Sequence, residues 1–430
     1  MLISEAPAAD GAPQRPSYLF ASSALLGLGL LTPFNMTLNL IPFLSDAYSW
    51  PELAYYTSLC LTYPSIFVQF VLVPCGQRLP SRTRIHYSFL LGALALACLG
   101  SVGASSPALG LCLMLLGGTC TAVLEGSLFG WLSRFPDPLC TTFAMAGVAS
   151  AGVLATALQL LLRAALPGQG AAAAGVFTAC GVLVLAACTL AHSRLSALAA
   201  AWLEARWGAA EAAEGAAAAA LASPSPPAAW VKGVWPEPEA SAQLVEGRGG
   251  GGACGTPGLT SRLLGQLLLP LATIVLNFVA TFMVFPGLIA SVPYRGGGGF
   301  SAFLSAPGDW FICLLLVFGV SDCIARALAS RLASAPPSQA LLLGYAALRF
   351  ALVPLIRACA CGALGDAALA ALVGVLGGTG GHLPTLVMMH APRLVQEEDR
   401  ETAGILLVAA LHVGIVAGSN FALVFEHLPC

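Results

Sequence analysis

A chain of 430 residues in which 58% are hydrophobic and only 9% charged cannot clothe itself with a water-compatible surface, because an ordinary soluble domain carries about 25% charged side chains. The formal net charge of -2 and the lack of a dense basic run give nucleic acid no footing. What remains is a protein whose main partner is the lipid bilayer, and its apolar runs decide how often it crosses.

A spanning helix needs about 20 apolar residues. Windows of that length predict eleven, near 18–41, 54–75, 86–105, 107–132, 142–165 and 172–193, then 263–291, 309–331, 338–361, 366–390 and 402–425. The fold class is therefore an all-α polytopic membrane protein in a six-plus-five arrangement. The predicted domains are residues 1–193, a six-helix bundle; 194–262, a cytoplasmic linker rich in Ala, Gly and Pro; and 263–430, a five-helix bundle. Inside the linker, residues 196–222 favour helix, with a first break at Gly208, and the Gly/Pro-rich remainder reads as a tether. Two bundles joined in this way are the layout of carriers that bind their cargo between the halves, near the midplane.

The basic residues give the orientation, since cytoplasmic loops collect Lys and Arg. With the N-terminus inside, the inner segments hold Arg15; Arg78, Arg82 and Arg84; Arg134; Arg194, Arg206, Lys232, Arg248 and Arg262; Arg331; and Arg393 with Arg400, thirteen in all. The outer loops and adjoining span ends hold Arg163, Arg295 and Arg357. An odd number of spans then puts the C-terminus outside. Residues 1–16 carry no basic stretch ahead of an apolar run, so the first span is expected to be retained.

Several chemistries lack their parts. Of the fourteen cysteines, Cys60, Cys98, Cys112, Cys180, Cys188 and Cys313 lie in apolar spans as small hydrophobes, so no disulfide framework or zinc site is expected. The lone lysine, Lys232, follows Val231 where a phosphate-binding loop demands Gly, which argues against an ATP-driven pump. The six histidines form no H-E-x-x-H pattern, so neither a metal nor an enzymatic role is expected, and no cofactor is called for.

Charges inside the spans carry the functional signal, because each costs roughly 2.5 to 3.5 kcal/mol at the centre of a spanning helix. In "LLLVFGVSDCIARALASRL", Asp322 and Arg326 stand four residues apart, on one helix face and within reach of each other. Such a pair either fixes one helix against its neighbours or faces a watery cavity, where it offers a fork of donors beside an acceptor to a polar, uncharged ligand. In "TAVLEGSLFGWL", Glu125 has no basic residue within a helical turn, and burial favours its neutral form. It is placed to hydrogen-bond a ligand, to bond a neighbouring helix, or to exchange a proton. Arg349, in "YAALRFALVPLI", has no partner assignable from the sequence. The prolines Pro33, Pro64, Pro286 and Pro354 are expected to break or kink their helices, and small-residue stretches such as "GVASAG" and "GVLGGTGG" to let helices approach closely.

Taken in order, these motifs resemble the equilibrative nucleoside transporter family. "LLGLGLLTPFNMTLNLIPF" is similar to that family's first helix, with Pro33, Phe34 and Asn35 where it usually carries Pro-Trp-Asn. "AVLEGSLFG" resembles its fourth helix, "FVATFMVFPGLIASV" its seventh, and "VFGVSDCIARALAS" its eighth, while "LRFALVPLI" and "APRLVQEEDRETAGILLVAALHVGIVAGSNF" resemble the ninth helix and the loop into the eleventh. The resemblance implies a major-facilitator-like bundle, in the plasma membrane, that moves nucleosides, or nucleobases, by alternating access and facilitated diffusion. It makes Asp322 and Arg326 a substrate-binding pair and Glu125 the counterpart of a Gln that reads the base. Phe34 and Met36 would be contacts from the first helix, Thr62 and Ser65 from the second, and Ile415 from the last.

Departures from the family pattern bear on the substrate. Phe34 replaces Trp, Glu125 replaces Gln, Gly319 stands where Asn is usual, and Ala146, Gly147, Val148 and Ala149 replace Ser-Gly-Gln-Gly. Glu125 also opens a second expectation, proton-coupled nucleoside uptake or organic cation transport.

Overall fold

The computed structural model describes residues 18–50, 53–75, 79–135, 137–166, 169–222, 257–290, 292–296, 309–332 and 337–426. The expected Gly/Pro-rich tether from 223 to 256, Arg15 and both chain ends fall outside these residues, and so does the sidedness read from the termini.

Every regular element among the described residues is helical, because in lipid a helix satisfies its own backbone groups. Six long helices, α1 (Tyr18–Tyr48), α2 (Leu53–Cys75), α3 (Ser81–Ser101), α4 (Pro107–Ser133), α5 (Leu139–Ala165) and α6 (Gly170–Ala222), come first. Five follow: α7 (Pro257–Phe282), α8 (Asp309–Ala329), α9 (Gln339–Ala360), α10 (Asp366–His390) and α11 (Arg400–Glu426). Ten of them are long and apolar enough to cross a membrane. The eleventh, α2, carries a shorter apolar stretch, Cys60–Val73.

Local signals set the helix ends. Pro107 opens α4 at its first turn, where a missing N–H costs nothing, and the Ser338 side chain caps α9 by accepting from the Leu341 N–H at 3.3 Å. The prolines act unequally. Pro33 and Pro64 lie within continuous helices, whereas α7 stops at Phe282, just before a turn that ends in Pro286. In α9 the turn Arg349–Ala351 tightens to 3-10 geometry directly ahead of Pro354, whose ring would clash with the carbonyl four residues back. The helix α6 continues through Gly208 to Ala222, past the break expected there.

Residues 1–193 and 261–430 form one compact unit, and Arg194–Thr260 form a second, of which the end of α6 and the first turn of α7 are described. Within the first unit, α1 packs most extensively on α5 and α8 on α10. The α1–α5 contact is backbone on backbone: a Cβ at Gly27 would overlap the Ala144 carbonyl, and one at Gly147 would overlap that of Ala24. Two seams join the segment 1–193 to the segment 261–430. Helix α11 lies against α4 and α2, and α5 lies against α8 and α10. The cysteines Cys120 and Cys188 are buried as free thiols, whereas Cys361, just past α9, is disulfide-bonded.

Candidate functional site

On α8, helical spacing brings Asp322 and Arg326 together as the sequence predicts. Arg326 Nε donates to both carboxylate oxygens, at 3.0 and 3.1 Å, and the two residues are 6% and 8% exposed. They are buried at the α5–α8–α10 seam rather than open to a cavity. Helix α10 closes over the acid, where a Cβ at Gly381 would overlap Asp322 Oδ1, and α5 brings the Met145 sulfur to 3.6 Å from Arg326 Nη1. Because Nε alone engages Asp322, no oxygen among the described residues takes the Nη hydrogens. One turn earlier on α8, the Phe318 ring stacks on Phe285, with centroids 4.2 Å apart.

Glu125 has a partner that the sequence does not announce. His412, on α11, brings Nε2 to 3.2 Å from Glu125 Oε2, and both residues are buried. The other ring nitrogen, Nδ1, lies 2.9 Å from the Val408 carbonyl, one turn back on α11. Three residues before Glu125, the Ala122 carbonyl accepts from Gln69 Nε2 of α2 at 2.8 Å, which fixes α2 beside the pair.

Arg349, at the 3-10 turn of α9, is 2% exposed and is held by neutral groups. Its Nη1 donates to the Asn277 carbonyl at 2.6 Å and to Asn277 Oδ1; Nη2 donates to Thr281 Oγ1 at 2.8 Å and to the Leu376 carbonyl at 3.0 Å; Nε donates to Thr379 Oγ1 at 3.0 Å. All five donors are thus used, on α7 and α10, without a carboxylate in contact. Only a three-dimensional arrangement could reveal this cage, since its members come from three helices.

At the loop end of the α4–α11 seam, Glu401 takes two arginines. Arg84 Nη2 of α3 lies 2.5 Å from Oε1, and Arg134 Nη1, at the end of α4, lies 3.3 Å from Oε2. Arg84 also donates to Ser127 Oγ at 3.1 Å and to the Leu79 carbonyl at 3.2 Å.

The remaining expected contacts are dispersed. Thr62 and Ser65 lie on α2, Ser65 buried and one turn before Gln69. Ile415 is partly buried, one turn beyond His412 on α11. Met36 is buried with its side chain against Gly181 of α6, and Phe34 is partly exposed beside Asn35, whose amide oxygen faces Gly152 of α5.

Residues 111–427 match the family model described as nucleoside transporter. This chain belongs to the nucleoside transporter family. Its relatives include human equilibrative nucleoside transporter 2, 27% identical over 472 residues that take in 98% of this chain and 100% of the relative. Mouse equilibrative nucleoside transporter 2 is 29% identical over 71% of this chain and 69% of its own length. Nucleoside transporter 2 of Leishmania donovani is 30% identical over 34% of this chain and 28% of its own length. Among solved structures, the proton:xylose symporter XylE superposes with a TM-score of 0.65 at 15% identity, over 95% of this chain and 88% of that one. The human organic anion transporter MFSD10 gives 0.54 at 16% identity, over 94% and 93%. These likenesses carry the fold alone, and that fold is of the major facilitator type. This member of the nucleoside transporter family is accordingly a multi-pass integral membrane protein.

Proposed function

We propose that the chain moves nucleosides, and nucleobases as a second class, by alternating access in facilitated diffusion. One observation supports the site above the others: Arg326 is buried, held in place through Nε by Asp322, and keeps its Nη donors free of oxygen partners among the described residues. A nucleoside offers such donors its sugar oxygens or a base carbonyl, and Asp322 can accept from a hydroxyl in return. Glu125 reads the base from the α4–α11 seam, with Phe34, Met36, Thr62, Ser65 and Ile415 as further contacts once the seams part.

In this reading residues 1–193 and 263–430 rock as two bundles about the substrate, with the N-terminus cytoplasmic, the C-terminus extracellular and the protein in the plasma membrane. The Arg84–Glu401–Arg134 cluster closes the cytoplasmic end, and the link must break for the inward opening.

The test is uptake of radiolabelled adenosine and uridine into cells that lack endogenous carriers, with wild type beside Arg326→Ala. Uptake by wild type that disappears in the variant, at equal surface protein, supports the reading. Correctly inserted wild type that takes up neither compound overturns it.

A further inference from the structure

We propose that Glu125 and His412 together form a binding site for a single proton, and that this proton latches the α4–α11 seam shut. Only the effect of the latch on turnover rests on the nucleoside-transport reading; the proton site stands on geometry.

The argument begins with the histidine tautomer. A carbonyl oxygen can only accept, so the 2.9 Å contact with Val408 puts a hydrogen on His412 Nδ1. Nε2 then meets Glu125 Oε2 at 3.2 Å. That contact is a hydrogen bond only while one proton lies on it, as a carboxyl donating to a neutral imidazole or as an imidazolium donating to a carboxylate. Remove the proton and two lone pairs face each other. Glu125 is 7% exposed and His412 5%, so water is poorly placed to make good the loss while the seam is closed.

The surroundings leave the proton to this pair. Helix α2 brings the neutral Thr62, Ser65 and Gln69, together with Cys60 and Tyr63. Between Leu263 and Phe282, α7 carries no ionisable side chain, and α1 has none between Phe20 and Phe43. Arg84 of α3 and Arg134 of α4 are both engaged by Glu401 at the base of α11, and the ring of His86, also on α3, lies edge-on to Tyr87. Glu125 is eight residues from the end of α4 and His412 eleven from Glu401, roughly 12 to 16 Å of helix from that cluster. Arg393, in the turn that precedes α11, interacts with Asp137 and Arg400. The seam therefore has two separate fastenings, an ion cluster at its end and a shared proton inside the membrane.

The sign follows from the stoichiometry. The latch is intact while the pair holds its one proton and is lost when that proton leaves, so raising the pH can only loosen the seam. When the seam opens, the proton leaves to the side that opens and returns from that side, so no net proton is carried with substrate.

The experiment uses the purified full-length protein in proteoliposomes, with the same buffer inside and outside, from about pH 5.5 to about pH 8, which brackets the ordinary imidazole range. Equilibrium exchange of radiolabelled uridine is followed for wild type, Glu125→Gln and His412→Gln, each normalised to its own maximum. The wild-type rate is expected to rise roughly two- to tenfold towards alkaline pH, the worth of one net hydrogen bond. Both variants are expected to be flat, since a Gln amide supplies a hydrogen that no pH in this range removes.

Thermal unfolding over the same range needs no substrate. The wild-type Tm, measured against that of Glu125→Gln, is expected to fall as pH rises. Exchange with a flat wild-type profile and a constant Tm difference would overturn the latch and leave the nucleoside reading standing. A titrating Tm difference without exchange of any nucleoside would keep the proton site and overturn the reading of the cargo. Uptake driven above equilibrium by a pH gradient would overturn the latch in favour of a coupled carrier.

Discussion

The two seams of the molecule treat charge differently. At the α5–α8–α10 seam, Asp322 is neutralised by Arg326 from its own helix, and Arg349 is satisfied by α7 and α10, so these bonds join parts of the 261–430 segment to one another. At the α4–α11 seam, Glu125 depends on His412, and Arg84 and Arg134 depend on Glu401, so each bond crosses between the segments. Under the proposed alternating access, bonds of the first kind survive every cycle and bonds of the second kind are made and broken in each. Stability should therefore be concentrated at one seam and the kinetics of opening at the other.

The largest effect expected from breaking this contrast is at Arg349. Its replacement by Ala strands acceptors on Asn277, Thr281, Leu376 and Thr379, and should cost about 4 kcal/mol or more of stability, read as a collapse of Tm or of folded yield in detergent. Next comes Asp322→Ala, which leaves Arg326 as an uncompensated buried charge at a cost of about 3 kcal/mol or more. The double variant Asp322→Leu with Arg326→Leu should recover most of that Tm while uptake stays absent. Recovery of uptake together with Tm would reduce the pair to a structural fastening. At the other seam, Glu401→Gln keeps an acceptor for the arginines and should cost about 2 kcal/mol, and its main signature should be faster labelling of a cysteine placed in the α4–α11 seam. The smallest effect belongs to Arg134→Ala, because the Arg134 side chain is 48% exposed. A change below about 1 kcal/mol, shrinking further with added salt, is expected there.

What was legible in the sequence tracks how local each interaction is. Asp322 and Arg326 could be paired because helical spacing alone puts them together. Glu125 and Arg349 looked solitary because their partners lie on other helices, and no spacing rule connects residue 125 to residue 412. The apolar runs gave the helices, since span length is a property of a single segment. The extent of α6 was misjudged at Gly208 because a single glycine costs a helix only about 1 kcal/mol, which a run of Ala and Leu offsets. The prolines were read alike, yet only Pro286 and Pro354 accompany a break or a tightened turn, because neighbouring helices can re-satisfy the backbone groups freed around the others.

The cage around Arg349 has an electrical consequence. Asp322 and Arg326 cancel, and Glu125 with His412 sum to zero while they hold the proposed shared proton, which leaves Arg349 as the unbalanced charge among these groups deep in the spans. A guanidinium does not give up its proton in a protein. One elementary charge is worth about 2.3 kcal/mol per 100 mV of membrane potential, so carrying it across a tenth of the field during rocking shifts that step by about 0.2 kcal/mol. Exchange of an uncharged nucleoside would then depend weakly on voltage, through a residue that never touches the cargo.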